Sequence, residues 1–333
     1  MILEPWNNKE LIGYNNFFLY LKEFFDNKKL PNKIIFSGNK GIGKSTFSYF
    51  LINKIFSEKF GQLNSDLIYK NSHLNLKYIN KIFDDKINKF NSYIKIDQIR
   101  DIESFAFKSS ISDLPKFVII DSADDLNINS SNSLLKLLEE PKKNTFFILI
   151  AHQLFNILPT IRSRCIKFKF ENPPLDDFIK IIKLTNEDIE DSDINLLFDL
   201  SNGSPGLALD LYSNDMSNLL DNLFHILQHN NNFSSKVIDF SEFVGIYNND
   251  QFKIFISILK LILINVLKVN LGIDIKNHFL SNISDSIYSV SKSMNNNSIF
   301  NIFEYLNLNE KDLYIYNLDK KIFSVNIFNS ISK

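Results

Sequence analysis

A glycine-rich run, Gly38-Asn39-Lys40-Gly41-Ile42-Gly43-Lys44-Ser45-Thr46, leaves this chain few folds to choose from. Before it lies a short apolar stretch, Lys33-Ile34-Ile35-Phe36-Ser37, which reads as a buried strand; after it, a helix is expected from Lys44 to about Phe56. The competing reading is a chance glycine-rich turn. Strand before and helix after favour a phosphate loop, Gly-x-x-x-x-Gly-Lys-Ser. In such a loop Gly38, Gly41 and Gly43 let backbone N–H groups converge on phosphate oxygens. The helix N-terminus adds its dipole, Lys44 reaches the β and γ phosphates, and Ser45 can ligate Mg²⁺. Thr46 follows as a further nucleotide-binding position. ATP with Mg²⁺ is the cofactor this implies.

Strands and helices alternate around the loop. Residues 10–27 have apolar positions recurring at three and four and read as an amphipathic helix, as do residues 97–108. Phe117-Val118-Ile119-Ile120, Phe146 to Ala151 and Ile166 to Phe170 read as further strands, and Ser130 to Glu140 as a helix closed by Pro141. Residues 57–93 are polar and yield no assignment. Alternation of this kind argues for parallel βαβ units through about residue 171. After Asn172-Pro173-Pro174 the strand patterns stop. Residues 175–215 read as a small helical domain whose last helix starts at Gly203-Ser204-Pro205-Gly206, and the pattern stays helical beyond about 218, with asparagine-rich loops at 229–232 and 295–297.

Asp121 ends the second strand, where an aspartate of a phosphate-loop ATPase holds Mg²⁺ through water. The alternative is an aspartate capping a turn. The next residue, Ser122, stands where an active ATPase of this type has a glutamate to orient the attacking water. Asp124 and Asp125 lie two and three positions further on, in a different geometry.

The chain has three arginines: Arg100, Arg162 and Arg164. A bland reading of the scarcity is an A/T-rich coding bias. A position that keeps arginine under that bias needs a planar, always-charged fork that grips phosphate oxygens in two places. Two of the three fall in Leu158-Pro159-Thr160-Ile161-Arg162-Ser163-Arg164-Cys165, with the only cysteine. For Arg164 the readings are a phosphate-sensing group and a structural ion pair; Arg162 pairs locally or sits at the same place. Cys165 reads as a small buried residue at a strand start.

The formal net charge of −1 supplies no global attraction to nucleic acid or anionic lipid, so any DNA contact is local. One cysteine excludes an intramolecular disulfide and a cysteine-rich zinc site. Met1 to Trp6 lacks the basic start and apolar run of a signal peptide. The most apolar stretch, 254–269, is broken by Ser257, Lys260, Asn265 and Lys268 and reads as a buried helix, not a membrane span. A cytoplasmic protein is expected.

These residues carry a resemblance. Leu11-Ile12-Gly13, Leu30-Pro31, Asp121-Ser122-Ala123-Asp124-Asp125-Leu126-Asn127, Ser133 to Pro141, Leu158 to Cys165 and Gly203-Ser204-Pro205-Gly206 resemble the AAA+ subunits of bacterial clamp loaders, and among them the delta-prime family of the DNA polymerase III clamp loader. The likeness is strong over residues 10–210 and weak over 211–333. Leu-Leu-Glu-Glu-Pro followed by Ser-Arg-Cys is its most specific part.

The resemblance implies an α/β fold: an AAA+ P-loop domain with a parallel sheet over 1–171, a small helical lid domain over 172–215 and an all-helical collar domain over 216–333. It implies a ring-like pentamer with motor (gamma/tau) and delta subunits, acting on a sliding clamp and primed DNA through the assembled complex. Arg164 becomes an arginine finger reaching a neighbour's ATP. Lys136 falls on a helix facing the DNA chamber in this family, although a solvated lysine explains it equally well.

Three departures weaken the chain's own ATP site: Ser122 in place of glutamate, Ala151-His152 where motor subunits offer a polar sensor, and Leu207 where a sensor arginine would start the helix. A site that holds nucleotide but hydrolyses it very slowly or not at all is the expectation. No cysteine falls in 57–93, where the family often carries a zinc module, so no zinc is expected and His73 reads as a satisfied surface or loop histidine. The rival readings are an active AAA+ ATPase and a stand-alone nucleotide-dependent DNA-binding protein; near-neutral charge opposes the second.

Overall fold

The computed structural model describes the chain apart from residues 1–3, 9, 85–88, 108–113, 187–188, 214–215, 230–234, 274, 276–282 and 331–333. Most of the asparagine-rich loop expected at 229–232, and the end of the helix expected over 97–108, lie outside the described residues. Two compact units emerge: Met1–Ile181 with Ser204–Gly206, and Ile182–Gly203 with Leu207–Lys333.

In the first unit the chain runs α1 (Asn15–Asp26), β1 (Lys33–Ser37), α2 (Lys44–Phe60), α3 (Gln62–Tyr69), β2 (Leu76–Ile79), β3 (Phe83–Asp84), β4 (Lys89–Phe90), α4 (Ile96–Phe107), β5 (Lys116–Asp121), α5 (Ile128–Glu139), β6 (Thr145–Ala151), α6 (Pro159–Arg162) and β7 (Ile166–Lys169). Five strands form one sheet in the order β2-β5-β6-β1-β7, with every pairing parallel. Strands β3 and β4 make a separate two-stranded antiparallel ribbon.

Parallel strands are covered on both faces, so they read as continuous apolar runs. Successive residues nevertheless go to opposite sides. Ile34, Phe36, Phe117, Ile119, Ile148 and Ile150 join one core cluster with α2 residues such as Phe47 and Leu51. Ile35, Val118, Ile120, Phe147, Leu149 and Ala151 join a second, with Ile99 and Ile102 of α4, Leu134 and Leu138 of α5, and Ile161 of α6. Phenylalanines fill the first core: the Phe17 and Phe47 rings stack at 5.1 Å, and Phe170 meets Phe36 at 5.1 Å. The strand ends therefore come into register at one edge of the sheet, where Asp121 pairs with Ile150 and Ser37 with Ala151.

The chain continues through α7 (Leu175–Thr185), α8 (Asp191–Leu200) and α9 (Pro205–Ser213) to α10 (Met216–His229), α11 (Ser235–Gly245), α12 (Asn249–Asn270), α13 (Ser284–Ser293), α14 (Asn296–Ile315) and α15 (Lys320–Asn329). Helix α12 holds the stretch read as a buried helix. Phe252, Phe255, Ile258, Leu259, Ile262, Leu263 and Val266 are fully buried in it, Lys260 forms an ion pair with Glu310 at 2.5 Å, and buried Asn265 donates to the Leu261 carbonyl at 2.8 Å. Among the described residues no helix is long and apolar enough to cross a membrane.

Candidate nucleotide pocket and surface arginine

The phosphate loop leaves β1 directly, as the sequence predicts. Gly38 takes φ +151°, and a Cβ there would fall 2.5 Å from the Phe170 carbonyl oxygen, so only glycine fits. Gly43, in the left-handed region, opens α2. Lys44 is buried, and its Nζ donates to the carbonyls of Gly38 at 2.7 Å and Asn39 at 2.5 Å. Burial pushes its ammonium down to about 8, against the pull of the Asp121 and Asp124 charges.

Asp121 ends β5, and its Oδ2 accepts hydrogen bonds from Ser45 Oγ at 2.5 Å and from Tyr78 OH at 2.8 Å. Burial, with the negative charge of Asp121 adding to it, drives the Tyr78 phenol strongly upward in pKa. Tyr78 comes from β2, inside the polar stretch that gave no assignment. Only the pairing of β2 with β5, Tyr78 beside Ile119, brings it to Asp121. Nothing in its local sequence signals that role.

The two acids after Ser122 have other partners. Asp124 accepts from the backbone N–H groups of His152 and Gln153, each at 2.7 Å, and so ties the loop after β5 to the end of β6. Burial raises its pKa, and those two donors oppose the rise. Asp125 accepts from Ser122 Oγ at 2.7 Å and pairs with Lys81 at 3.0 Å. Ser204 Oγ donates to the Lys40 carbonyl at 2.7 Å and the Gly206 N–H to the Gly41 carbonyl at 2.8 Å. A Cβ on Gly206 would lie 2.8 Å from Gly41 Cα. The Ser204–Gly206 stretch, predicted as a helix start, thus clasps the phosphate loop.

Arg164 stands in the turn after α6, with its side chain 36% exposed. Its Nη2 donates to Glu139 Oε1 at 2.7 Å and its Nη1 to the Thr160 carbonyl at 2.9 Å. Glu139 has no predicted role beyond the Leu-Leu-Glu-Glu-Pro match. The Arg162 guanidinium lies 5.8 Å from the ring of Phe155, which is 90% exposed. Cys165 is buried, and burial pushes its thiol up to about 11, as befits a packing residue. Arg100 pairs with Asp97 and Lys136 is exposed. His73 is a satisfied loop histidine, buried and not on the surface: its ring meets Phe56 edge-on at 4.5 Å and its Nδ1 accepts from the Asn75 N–H at 3.0 Å.

A parallel sheet with a phosphate loop after β1 and a strand-end aspartate on β5, followed by helical domains, defines an AAA+ P-loop protein. Residues 13–174 match the family described as DNA polymerase III, delta subunit. The chain is 34% identical over 119 residues to the DNA polymerase III subunit delta' of Pseudomonas aeruginosa, covering 36% of this chain and 36% of that protein. It is 30% identical over 193 residues to the subunit delta' of Bacillus subtilis, covering 56% and 55%. It is 26% identical over 217 residues to a replication factor C small subunit of Methanococcus vannielii, covering 62% and 61%. The matched stretches thus span under two thirds of each relative's length. Over residues 13–174 the chain is thus similar to the DNA polymerase III delta-subunit family.

Proposed function

We propose that this chain is a clamp-loader subunit of the delta-prime type. It is a stator that hydrolyses little or no ATP itself and offers Arg164 to the ATP of an adjacent motor subunit. The observation that carries the reading is the fate of the acids around Asp121. Ser122 replaces the water-orienting glutamate, Asp124 holds backbone N–H groups, and Asp125 pairs with Lys81. Arg164, by contrast, is exposed at the surface. A guanidinium beside a γ-phosphate stabilises transition-state charge and reports that ATP is bound.

The loop's residues fit a nucleotide. Lys44 and the first amides of α2 would hold phosphates, and Ser45 with Asp121 would hold Mg²⁺, whose contribution is to neutralise phosphate charge. The domain division proposed with this function is 1–171, 172–215 and 216–333, the last joining the chain to motor and delta subunits. Sliding clamp and primed DNA are met through the assembled complex. The test is reconstitution with motor and delta subunits. Arg164→Ala is expected to slow hydrolysis at the one facing site by up to about 10³–10⁵, while the purified chain alone with Mg-ATP shows almost no turnover. Robust turnover by the chain alone would establish the rival reading, an active AAA+ ATPase.

A further inference from the structure

We propose that Glu139 is a positioning residue for Arg164, holding the guanidinium in the orientation in which it meets the neighbour's phosphate. This rests on the finger reading above. The geometry behind it is a two-sided grip. Glu139 Oε1 takes Nη2 from one side at 2.7 Å, and the Thr160 carbonyl takes Nη1 from the other at 2.9 Å. A guanidinium carries five N–H donors in a rigid plane. With two of them fixed at opposite ends of the fork, the plane is set and the remaining donors keep a defined direction.

The anchor points are fixed as well. Glu139 directly follows Leu138, and Arg164 directly precedes Cys165. Leu138, Cys165 and Ile161 of the intervening helix are buried in the same core cluster. The carboxylate and the arginine are thus mounted on two elements packed through one core.

Stability does not explain the pair. Both side chains are partly exposed, at 36% and 50%, and ion pairs so placed contribute little because water screens them and ordering two long side chains is unfavourable. Orientation does explain it. A free arginine must freeze several rotors when it engages an anion, whereas a preordered one has already lost that freedom in the folded subunit. Two of the five donors are used, so the remaining three are available to a γ-phosphate while the Glu139 contact is kept.

The experiment is single-turnover ATP hydrolysis by the complex reconstituted from full-length subunits, with wild type, Glu139→Ala, Glu139→Gln, Arg164→Ala and the Glu139→Ala/Arg164→Ala pair. Glu139→Ala is expected to slow the phase assigned to the facing site by about tenfold, within the loss that a misplaced catalytic group brings, with KM for ATP unchanged. Glu139→Gln, which keeps the acceptor oxygen, restores most of the rate. In the Arg164→Ala background Glu139→Ala has no further effect, because Glu139 acts through Arg164. If Arg164→Ala slows the phase and Glu139→Ala leaves it alone or quickens it, the finger stands and the positioning role falls. Equal effects of Glu139→Ala in both backgrounds overturn it in favour of a structural role. An Arg164→Ala complex as fast as wild type removes the finger reading itself, and this inference with it.

Discussion

Lys44 and Asp121 are the two charges that a nucleotide at this loop would meet, and each is engaged within the chain. Burial holds Lys44 near 8, well below its ordinary 10.5. The unfolded chain therefore binds more protons between those values, and the Lys44 contribution makes the fold more stable as pH rises from about 8 towards 10.5. Urea denaturation of wild type and Lys44→Met at pH 8 and pH 10 checks this: wild type should gain relative to the variant, and a parallel decline of both would contradict it. An anion on the loop favours the charged ammonium, so binding of inorganic phosphate or ADP should weaken as pH passes about 8. Tyr78 is the other control. Its hydroxyl donates to Asp121 at 2.8 Å, a hydrogen bond to a charged acceptor. Tyr78→Phe should lower stability by about 1.5–3 kcal/mol, read from the urea midpoint at constant slope. A loss under half of that would mean that water replaces the phenol freely.

Elements differ in how much of themselves they display locally. Strands β1, β5 and β6 are buried on both faces, so their apolar runs stand out, and the predicted spans lie within a residue or two of Lys33–Ser37, Lys116–Asp121 and Thr145–Ala151. Strand β2 lines the sheet edge, with Lys77 and Tyr78 half-buried between buried Leu76 and Ile79, and a pattern of that kind resembles loop. Helix α1 starts at Asn15 rather than residue 10 because Gly13 and Tyr14 both take positive φ and turn the chain there. The phosphate loop was legible because its chemistry is contiguous in sequence. Tyr78, Glu139 and the Ser204–Gly206 clasp were not, since each reaches its partner through tertiary packing. Two element-level predictions follow from the caps and the clasp. Asn127 caps α5 by accepting from the Ser130 N–H at 2.9 Å, and Asn127→Ala should lower stability by about 0.5–2 kcal/mol. Gly206→Ala would force Cβ to 2.8 Å from Gly41 Cα, so a loss of about 1–3 kcal/mol is expected from overpacking at the clasp. Thermal unfolding measures both, and a neutral Gly206→Ala would show that the clasp yields without strain.

At the scale of the whole molecule, the two features proposed to meet phosphate, Lys44 in the loop and Arg164 on the surface, make opposite demands on an assembly. If this chain is a stator, its own pocket is dispensable for turnover while Arg164 is indispensable to one neighbour. Net charge −1 sharpens the contrast, since the isolated chain has no excess of cations with which to hold DNA by counterion release. DNA engagement then belongs to the assembly, and the chain alone should bind duplex no tighter than about 10⁻⁴ M at physiological salt, the weak end of non-specific binding. Substitutions separate the two features in a single preparation. Lys44→Ala in the reconstituted loader should leave the rate of clamp loading within about twofold of wild type, because on the stator reading no hydrolytic step runs through that pocket. Arg164→Ala should depress loading strongly, since on the same reading one of the ATP sites that drive it loses a group whose removal slows hydrolysis by orders of magnitude. Clamp loading onto primed DNA, followed by a fluorescent clamp, measures both variants under the same conditions. Equal collapse of the two would mean that the pocket works for its living, and the division between an idle nucleotide site and an active boundary arginine would have to be abandoned.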